Sequence, residues 1–190
     1  MKKLLIGCLV FLGTIFSSCA ESKNVSVMKN EDNKVLVAYY SATGTTEKVA
    51  KEIASATNGK LFEIEPEKKY TSADLNWNDR NSRSSVEMND MSSRPAIKNG
   101  VVNLDSIETI FIGYPIWWDQ APRVVNTFLE SNNLKGEKII TFCTSGGSTI
   151  DVSTRTLRET YPDLDIMQGK CLNGTSKSGI EAWVKNLGLK

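Results

Sequence analysis

Histidine is absent from all 190 residues of this chain, and that absence removes whole classes of chemistry. Neither a Ser-His nor a Cys-His nucleophile pair can be built, and the usual histidine-rich metal sites are excluded. Hydrolysis by an activated side chain is therefore disfavoured. Charge of one sign is lacking too: 23 Lys and Arg face 22 Asp and Glu, a net charge of +1. Nucleic-acid binding needs a basic face to meet the phosphate backbone, so no nucleic-acid partner is expected. Two phosphate-binding patterns are missing as well. Neither Gly-x-x-x-x-Gly-Lys-Ser/Thr nor Gly-x-Gly-x-x-Gly occurs, which argues against a bound triphosphate or pyrophosphate.

What the chain does contain is a hydroxyl-rich loop in the right place for a single phosphate. The β-branched apolar run Val35-Leu36-Val37-Ala38-Tyr39-Tyr40 is joined by Ser41-Ala42-Thr43-Gly44-Thr45-Thr46 to a helix-like segment near Glu47. A helix start leaves backbone N–H groups unpaired and carries a partial positive charge, so an anion there meets donors that the chain already has. The hydroxyls add further hydrogen bonds. The competing reading is an ordinary capped loop, because Ser and Thr favour turns and N-caps in any case.

Two more loops follow apolar runs. Thr109-Ile110-Phe111-Ile112-Gly113 leads into Tyr114-Pro115-Ile116-Trp117-Trp118, and Lys138-Ile139-Ile140-Thr141-Phe142-Cys143 leads into Thr144-Ser145-Gly146-Gly147-Ser148. In an open parallel sheet the ligand site lies beyond the carboxyl ends of the strands, where loops distant in sequence converge. Phosphate donors, aromatic faces and glycines together suit a phosphorylated flat heterocycle, stacked on an indole and approached closely by backbone.

On these residues the chain resembles the flavodoxins, and within them the group with a Pro-Ile-Trp-Trp loop. Ser41 to Thr46 matches the family pattern Ser/Thr-x-Thr-Gly-x-Thr at every fixed position, and the likeness runs from about Lys34 to Leu189. The resemblance implies an α/β fold of three layers, a five-stranded parallel sheet in the order 2-1-3-4-5 with helices on both faces, and FMN as cofactor. It further implies that Ser41, Ala42, Thr43, Gly44, Thr45 and Thr46 hold the ribityl phosphate. Pro115, Ile116, Trp117 and Trp118 would flank the isoalloxazine, with one of the two indoles stacked on it, and Thr144, Ser145, Gly146 and Gly147 would line its pyrimidine side. Relatives often carry Gly after the Gly-Gly-Ser element, where this chain has Thr149-Ile150-Asp151.

The amino terminus carries a targeting pattern. Lys2 and Lys3 precede an apolar run from Leu4 to Phe16, too short to cross a bilayer and suited to a signal-peptide core. Ser17-Ser18-Cys19 follows and resembles a lipoprotein box, with Phe16 where Leu is usual. The expectation is a signal peptide over 1–18, lipidation at Cys19, a polar tether over 19–33, and a flavodoxin-like domain over 34–190. A plain secretory signal or an uncleaved anchor are the alternatives. Lys2 and Lys3 leave with the leader, which moves the net charge from +1 to −1. Roughly 170 remaining residues suit one domain with an adequate core.

Alternation of apolar runs and helical periodicity predicts strands at Lys34–Tyr40, Lys60–Glu65, Thr109–Gly113, Lys138–Thr144 and Asp165–Cys171. Helices are predicted at Thr46–Thr57, Pro122–Glu130, Ile150–Thr160 and Ser176–Leu187. Trp183 falls on an apolar helix face with Ile180, Val184 and Leu187 and reads as a packing residue. Cys143 and Cys171, at the ends of neighbouring strands, read as small buried side chains, with a disulfide as the alternative outside the cytosol. Between Pro66 and Val102 the pattern fails. This polar stretch is too long for a plain connection: it folds over the flavin edge or forms a docking surface, or it is a surface loop with a short helix near Ser72–Trp77 and no direct role. Trp77 and Arg94 are its candidates for a role at the flavin edge.

These readings converge on an exported, lipid-anchored FMN protein of the bacterial cell envelope that transfers electrons, one or two at a time, to a redox partner protein or small carrier. No side chain needs to act as acid or base, since the flavin carries the chemistry. An NAD(P)H-dependent FMN or quinone reductase is one alternative. A membrane-tethered binding or scaffold module without redox turnover is another.

Overall fold

A computed structural model describes residues 34–189. Five parallel strands form one sheet in the order β2-β1-β3-β4-β5. Along the chain these are β1 (Val35–Tyr39), β2 (Lys60–Glu63), β3 (Thr109–Pro115), β4 (Lys138–Thr144) and β5 (Asp165–Cys171). Five helices intervene: α1 (Thr45–Thr57), α2 (Arg83–Asn89), α3 (Arg123–Ser131), α4 (Asp151–Thr160) and α5 (Lys177–Asn186).

The composition of each strand explains its place. β1 and most of β3 and β4 are buried along their length, as continuous Val, Ile, Leu and Phe runs must be when helices cover both sheet faces. β2 and β5 lie at the edges and carry Lys60, Glu63, Asp165 and Lys170, charges that discourage pairing with another chain. On one face, Leu36, Ile110, Ile112 and Ile139 pack against Val124, Val125, Phe128 and Leu129 of α3 and Leu157 of α4. On the other, Val37, Phe111, Ile140 and Phe142 pack against Val49, Ala50 and Ile53 of α1 and Ile180 and Val184 of α5. Trp183 packs edge-on against Phe111 at 5.8 Å, as its place on the apolar face of α5 implied. Each fully buried aliphatic or aromatic side chain in these layers contributes about 1.5–3 kcal/mol.

Register is direct where it matters for function. Val35 to Tyr39 pair with Thr109 to Gly113, and Thr109 to Pro115 with Lys138 to Thr144, so β3 and β4 finish level and β1 ends at the Gly113 rung of the same edge. β3 continues two residues beyond its expected end, because Pro115 pairs with Thr144 as the last rung. Cys143 and Cys171 are register partners on β4 and β5, and both are free thiols. Burial pushes the Cys143 thiol well above its ordinary range.

The segment after β2 departs from expectation. Ser72–Trp77 is a run of turns, because Thr71 and Asp74 bond each other's backbone and side chains at 2.8 and 3.2 Å and so compete with helical pairing. The helix forms later, as α2, where the Ser82 side chain accepts from Ser85 N. An isolated antiparallel bridge between Pro66 and Ile97 closes the base of the insertion, with Glu67 N donating to Ala96 O and Lys98 N to Glu65 O, both at 2.9 Å. The expected signal peptide, Cys19 and the tether lie outside the described residues.

Gly169 sits opposite a register irregularity between Ile140 and Phe142, where β5 passes directly over Thr141. A Cβ at Gly169 would fall 1.4 Å from the Thr141 carbonyl oxygen, so the backbone would have to move. Gly169→Ala is expected to lower stability by about 3 kcal/mol in chemical denaturation. An unchanged midpoint would show that the strands are not this close.

Candidate functional site

The site is built where β1, β3 and β4 end. Tyr40 N donates to Gly113 O at 2.9 Å, which brings the chain off β1 alongside β3. Gly44 then adopts the left-handed region at φ 83°, a conformation that carries a penalty of about 1–2 kcal/mol for a residue with Cβ, and α1 begins at Thr45. Gly44 makes no side-chain cap, so the first N–H groups of α1 remain available on this side. Thr46 turns inward. Its hydroxyl is buried and lies 2.8 Å from that of Thr144, which ties the loop after β1 to the end of β4. Ile116 N donates to Thr144 O at 2.9 Å and ties in the third loop. Thr144 thus joins all three.

Two hydroxyls in this region are buried and lack a partner among the described residues: Ser41 Oγ and Tyr40 Oη. An unpaired buried hydroxyl costs about 1–3 kcal/mol, so a native site leaves one open where something else pairs with it. Ser41 is at the start of the loop that sequence reading assigned to phosphate.

Trp117 and Trp118 do not lie on an extended segment. Trp117 N donates to Gln120 O at 3.0 Å, Gln120 N returns to Trp117 O at 2.9 Å, and Trp118 and Asp119 both take positive φ, 46° and 60°. This is a tight turn with two left-handed centres. Both indoles line one cavity. Their surroundings differ. Trp117 meets Tyr40 at 5.7 Å and Tyr70 at 5.2 Å, both nearly perpendicular, while Trp118 remains 44 % exposed. Trp117 is anchored and Trp118 is open.

That cavity measures about 410 Å³. Ala42 and Thr43 of the loop after β1, Pro115 to Trp118, and Leu75, Trp77 and Ser84 of the insertion line it. Trp77, one of its lining residues, is 72 % exposed. Arg94 goes elsewhere. Its guanidinium binds Glu130 at 2.7–2.8 Å on α3, and that contact holds the Glu130 carboxyl below the usual carboxylate range.

Thr144 to Gly147 are placed beside this cavity without lining it. Space above Gly146 and Gly147 is open, with no heavy atom within 4 Å of an added Cβ. Asn173 holds the loop: Ser145 N donates to Asn173 Oδ1 at 3.0 Å, and Asn173 Nδ2 donates to Ser145 O at 2.9 Å. Sequence reading missed Asn173, since a lone Asn after a strand carries no local signal of its distant partner.

It also missed the support beneath the indoles. Tyr70 donates from its hydroxyl to Glu87, Arg83 lies 3.9 Å over the Tyr70 ring, and Arg83 Nε binds Glu87 at 2.6 Å. Burial drives the Tyr70 phenol far above its ordinary range, with the Glu87 hydrogen bond adding to the effect, and burial does the same to Tyr40. Both stay neutral and act as packing surfaces. The arrangement can therefore hold an anion at the start of α1 and a flat apolar ring against the indole turn.

The flavodoxin family model matches residues 34–187. Among solved structures, a candidate flavoprotein from Bacteroides eggerthii DSM 20697 is 51 % identical, covering 84 % of this chain and 100 % of its own, with a TM-score of 0.80. A second candidate flavoprotein, from Bacteroides uniformis ATCC 8492, is 49 % identical over 80 % of this chain and 98 % of its own, with a TM-score of 0.79. A Lactobacillus acidophilus NCFM flavoprotein, solved in complex with FMN, is 23 % identical over 80 % of this chain and 98 % of its own. At a TM-score of 0.62 that last likeness shows the fold. No curated protein matches the sequence.

Proposed function

The chain belongs to the flavodoxin family, and from that membership we propose that it binds FMN at the ends of β1, β3 and β4 and serves in electron transfer. The observation that carries this is the hydroxyl-rich loop leading into an α1 start with no side-chain cap, two residues of which, Ala42 and Thr43, line an indole-walled cavity of about 410 Å³. The residues fit the cofactor. Ser41, Thr43, Thr45 and the first N–H groups of α1, that of Thr46 among them, would hold a terminal phosphate, and Trp118 would stack on the ring while Trp117 backs it. FMN, when bound, supplies the redox chemistry. The protein orients it, keeps water from one face and leaves the mouth near Trp77 open to a partner, a redox protein or small electron carrier.

No residue lining the cavity is ionisable, which favours electron exchange over acid–base conversion of a substrate. Residues 1–33 add the second part of the proposal: export and acylation at Cys19 would place the domain at the cell envelope on a polar tether. Among the described residues no helix is long and apolar enough to cross a membrane.

Three outcomes test these readings. Residues 20–190, expressed without the leader, should bind FMN at least tenfold tighter than riboflavin in a fluorescence titration, since two or three phosphate hydrogen bonds are worth well over about 1.4 kcal/mol. Equal affinities would sink the phosphate assignment.

Trp118→Ala should weaken FMN binding by about 1–3 kcal/mol, by analogy with base–aromatic stacking. It should also raise the reduction potential, because an indole face favours the oxidised ring over the more electron-rich reduced one. Trp117→Ala should mainly lower thermal stability. If both variants match the parent in affinity and potential, the Pro-Ile-Trp-Trp turn is not the flavin platform.

Cys19→Ser should move the full chain from the membrane fraction to the soluble exported fraction. Retention of the substituted chain in membranes would rule out the lipid anchor.

A further inference from the structure

Arg123, the first residue of α3, is 2 % exposed, and among the described residues no carboxylate lies within ion-pair distance of it. A buried cation without a counter-ion is costly unless its donors are satisfied. Here they are. Nη2 donates to Met88 O at 2.9 Å and touches Met91 Sδ at 3.0 Å, and Nε is shared between Asp90 O at 3.2 Å and Glu87 O at 3.3 Å. Those carbonyls are the last turn of α2 and its cap, the groups a helix end leaves unpaired and where its dipole is negative.

The remaining arm of the guanidinium goes elsewhere. Nη1 donates to Gln120 Oε1 at 3.2 Å, and Gln120 exchanges two backbone hydrogen bonds with Trp117 across the indole turn. One side chain therefore grips both walls of the cavity. The first wall is the insertion, since Ser84 lies on α2 and Ser84 N donates to Asp74 O at 2.9 Å, beside Leu75 and Trp77. The second is Pro115 to Trp118. Arg123 itself does not line the cavity.

We propose that Arg123 is a positioning residue for the flavin ring: its guanidinium fixes the separation of the insertion wall from the indole turn, and so sets how tightly a planar ring is held. This rests on the FMN reading above. The forked geometry is what the role requires, because a lysine ammonium could cap α2 or reach Gln120 but has no rigid fork to span both.

The experiment uses the full domain and riboflavin, a ring without phosphate, alongside FMN. Arg123→Lys and Arg123→Met should each bind riboflavin about tenfold or more weakly, while the ratio of FMN to riboflavin affinity stays that of the parent, because Arg123 makes no contact with the phosphate loop. Leu134→Ala, a buried change at the far end of the sheet, is the comparator: it should lower the melting temperature and leave riboflavin affinity unaltered. In the absence of any flavin, amide hydrogen exchange over residues 83–91 should accelerate in Arg123→Lys. Riboflavin affinity within twofold of the parent in folded Arg123→Lys overturns the proposal, as does a loss no greater than that of Leu134→Ala at the same melting shift. Should Arg123→Met fail to fold, Arg123→Lys decides. A parent that binds neither flavin overturns the FMN reading alone, since the exchange measurement judges Arg123 without a ligand, and unchanged protection over 83–91 there overturns the positioning role.

Discussion

Everything at the functional end of this domain depends on the in-register parallel pairing of β1, β3 and β4. Parallel strands that end at one edge bring their loops together there, and here the loops are tied by Thr144, whose hydroxyl meets Thr46 and whose carbonyl accepts from Ile116 N. Remove a residue of register and each side chain would swap faces, sending Ile110 and Ile112 to the α1 side and Phe111 to the α3 side. Each face packs against its own pair of helices, α3 and α4 on one and α1 and α5 on the other, so a slip would break both sets of contacts at once. Packing therefore enforces register, and register assembles the site.

Much of this was legible in the sequence because it is written locally. Val35 to Tyr40 and Thr109 to Gly113 are runs too apolar for any half-exposed strand, which identifies a sheet covered on both sides. The hydroxyl loop and its glycine follow from the chemistry of a helix start. Trp183 was readable from helical spacing alone. The failures have a common physical source, which is dependence on a distant partner. Asn173 clamps Ser145 from 28 residues away, and Arg123 finds its acceptors 33 to 36 residues upstream. Nothing in the residues near Asn173 or Arg123 announces that.

The turn at Trp117 shows a different limit. Non-glycine residues rarely take positive φ, so Trp118 and Asp119 in succession are improbable on local grounds. Pro115 is held in the sheet and α3 starts at Arg123, leaving a short span in which Trp117 and Gln120 can pair only if the chain doubles back. Backbone strain of this kind, about 1–3 kcal/mol at each such residue, persists where surrounding contacts over-determine it. Gln120, held through its side chain by Arg123, is such a contact. The insertion likewise could not be placed from its composition, since α2 is capped by Ser82 and Arg123 together, one local residue and one remote.

The chemistry of the cavity walls limits what the protein can contribute. Tyr40 and Tyr70 stand behind the indoles with phenols that burial keeps protonated at any ordinary pH, and Tyr39 nearby is pushed up to about 12. Glu87 is engaged by Tyr70 and Arg83. The two phenols behind the indole turn thus offer packing surface and stay protonated. What remains to the protein is the placement of aromatic faces and hydrogen-bond donors around a bound ring, and those act on the relative stability of its oxidised and reduced forms. Under the electron-transfer reading proposed above, such walls and the exposed Trp77 and Trp118 would meet what passing electrons needs, proximity and a tuned potential without a reacting side chain.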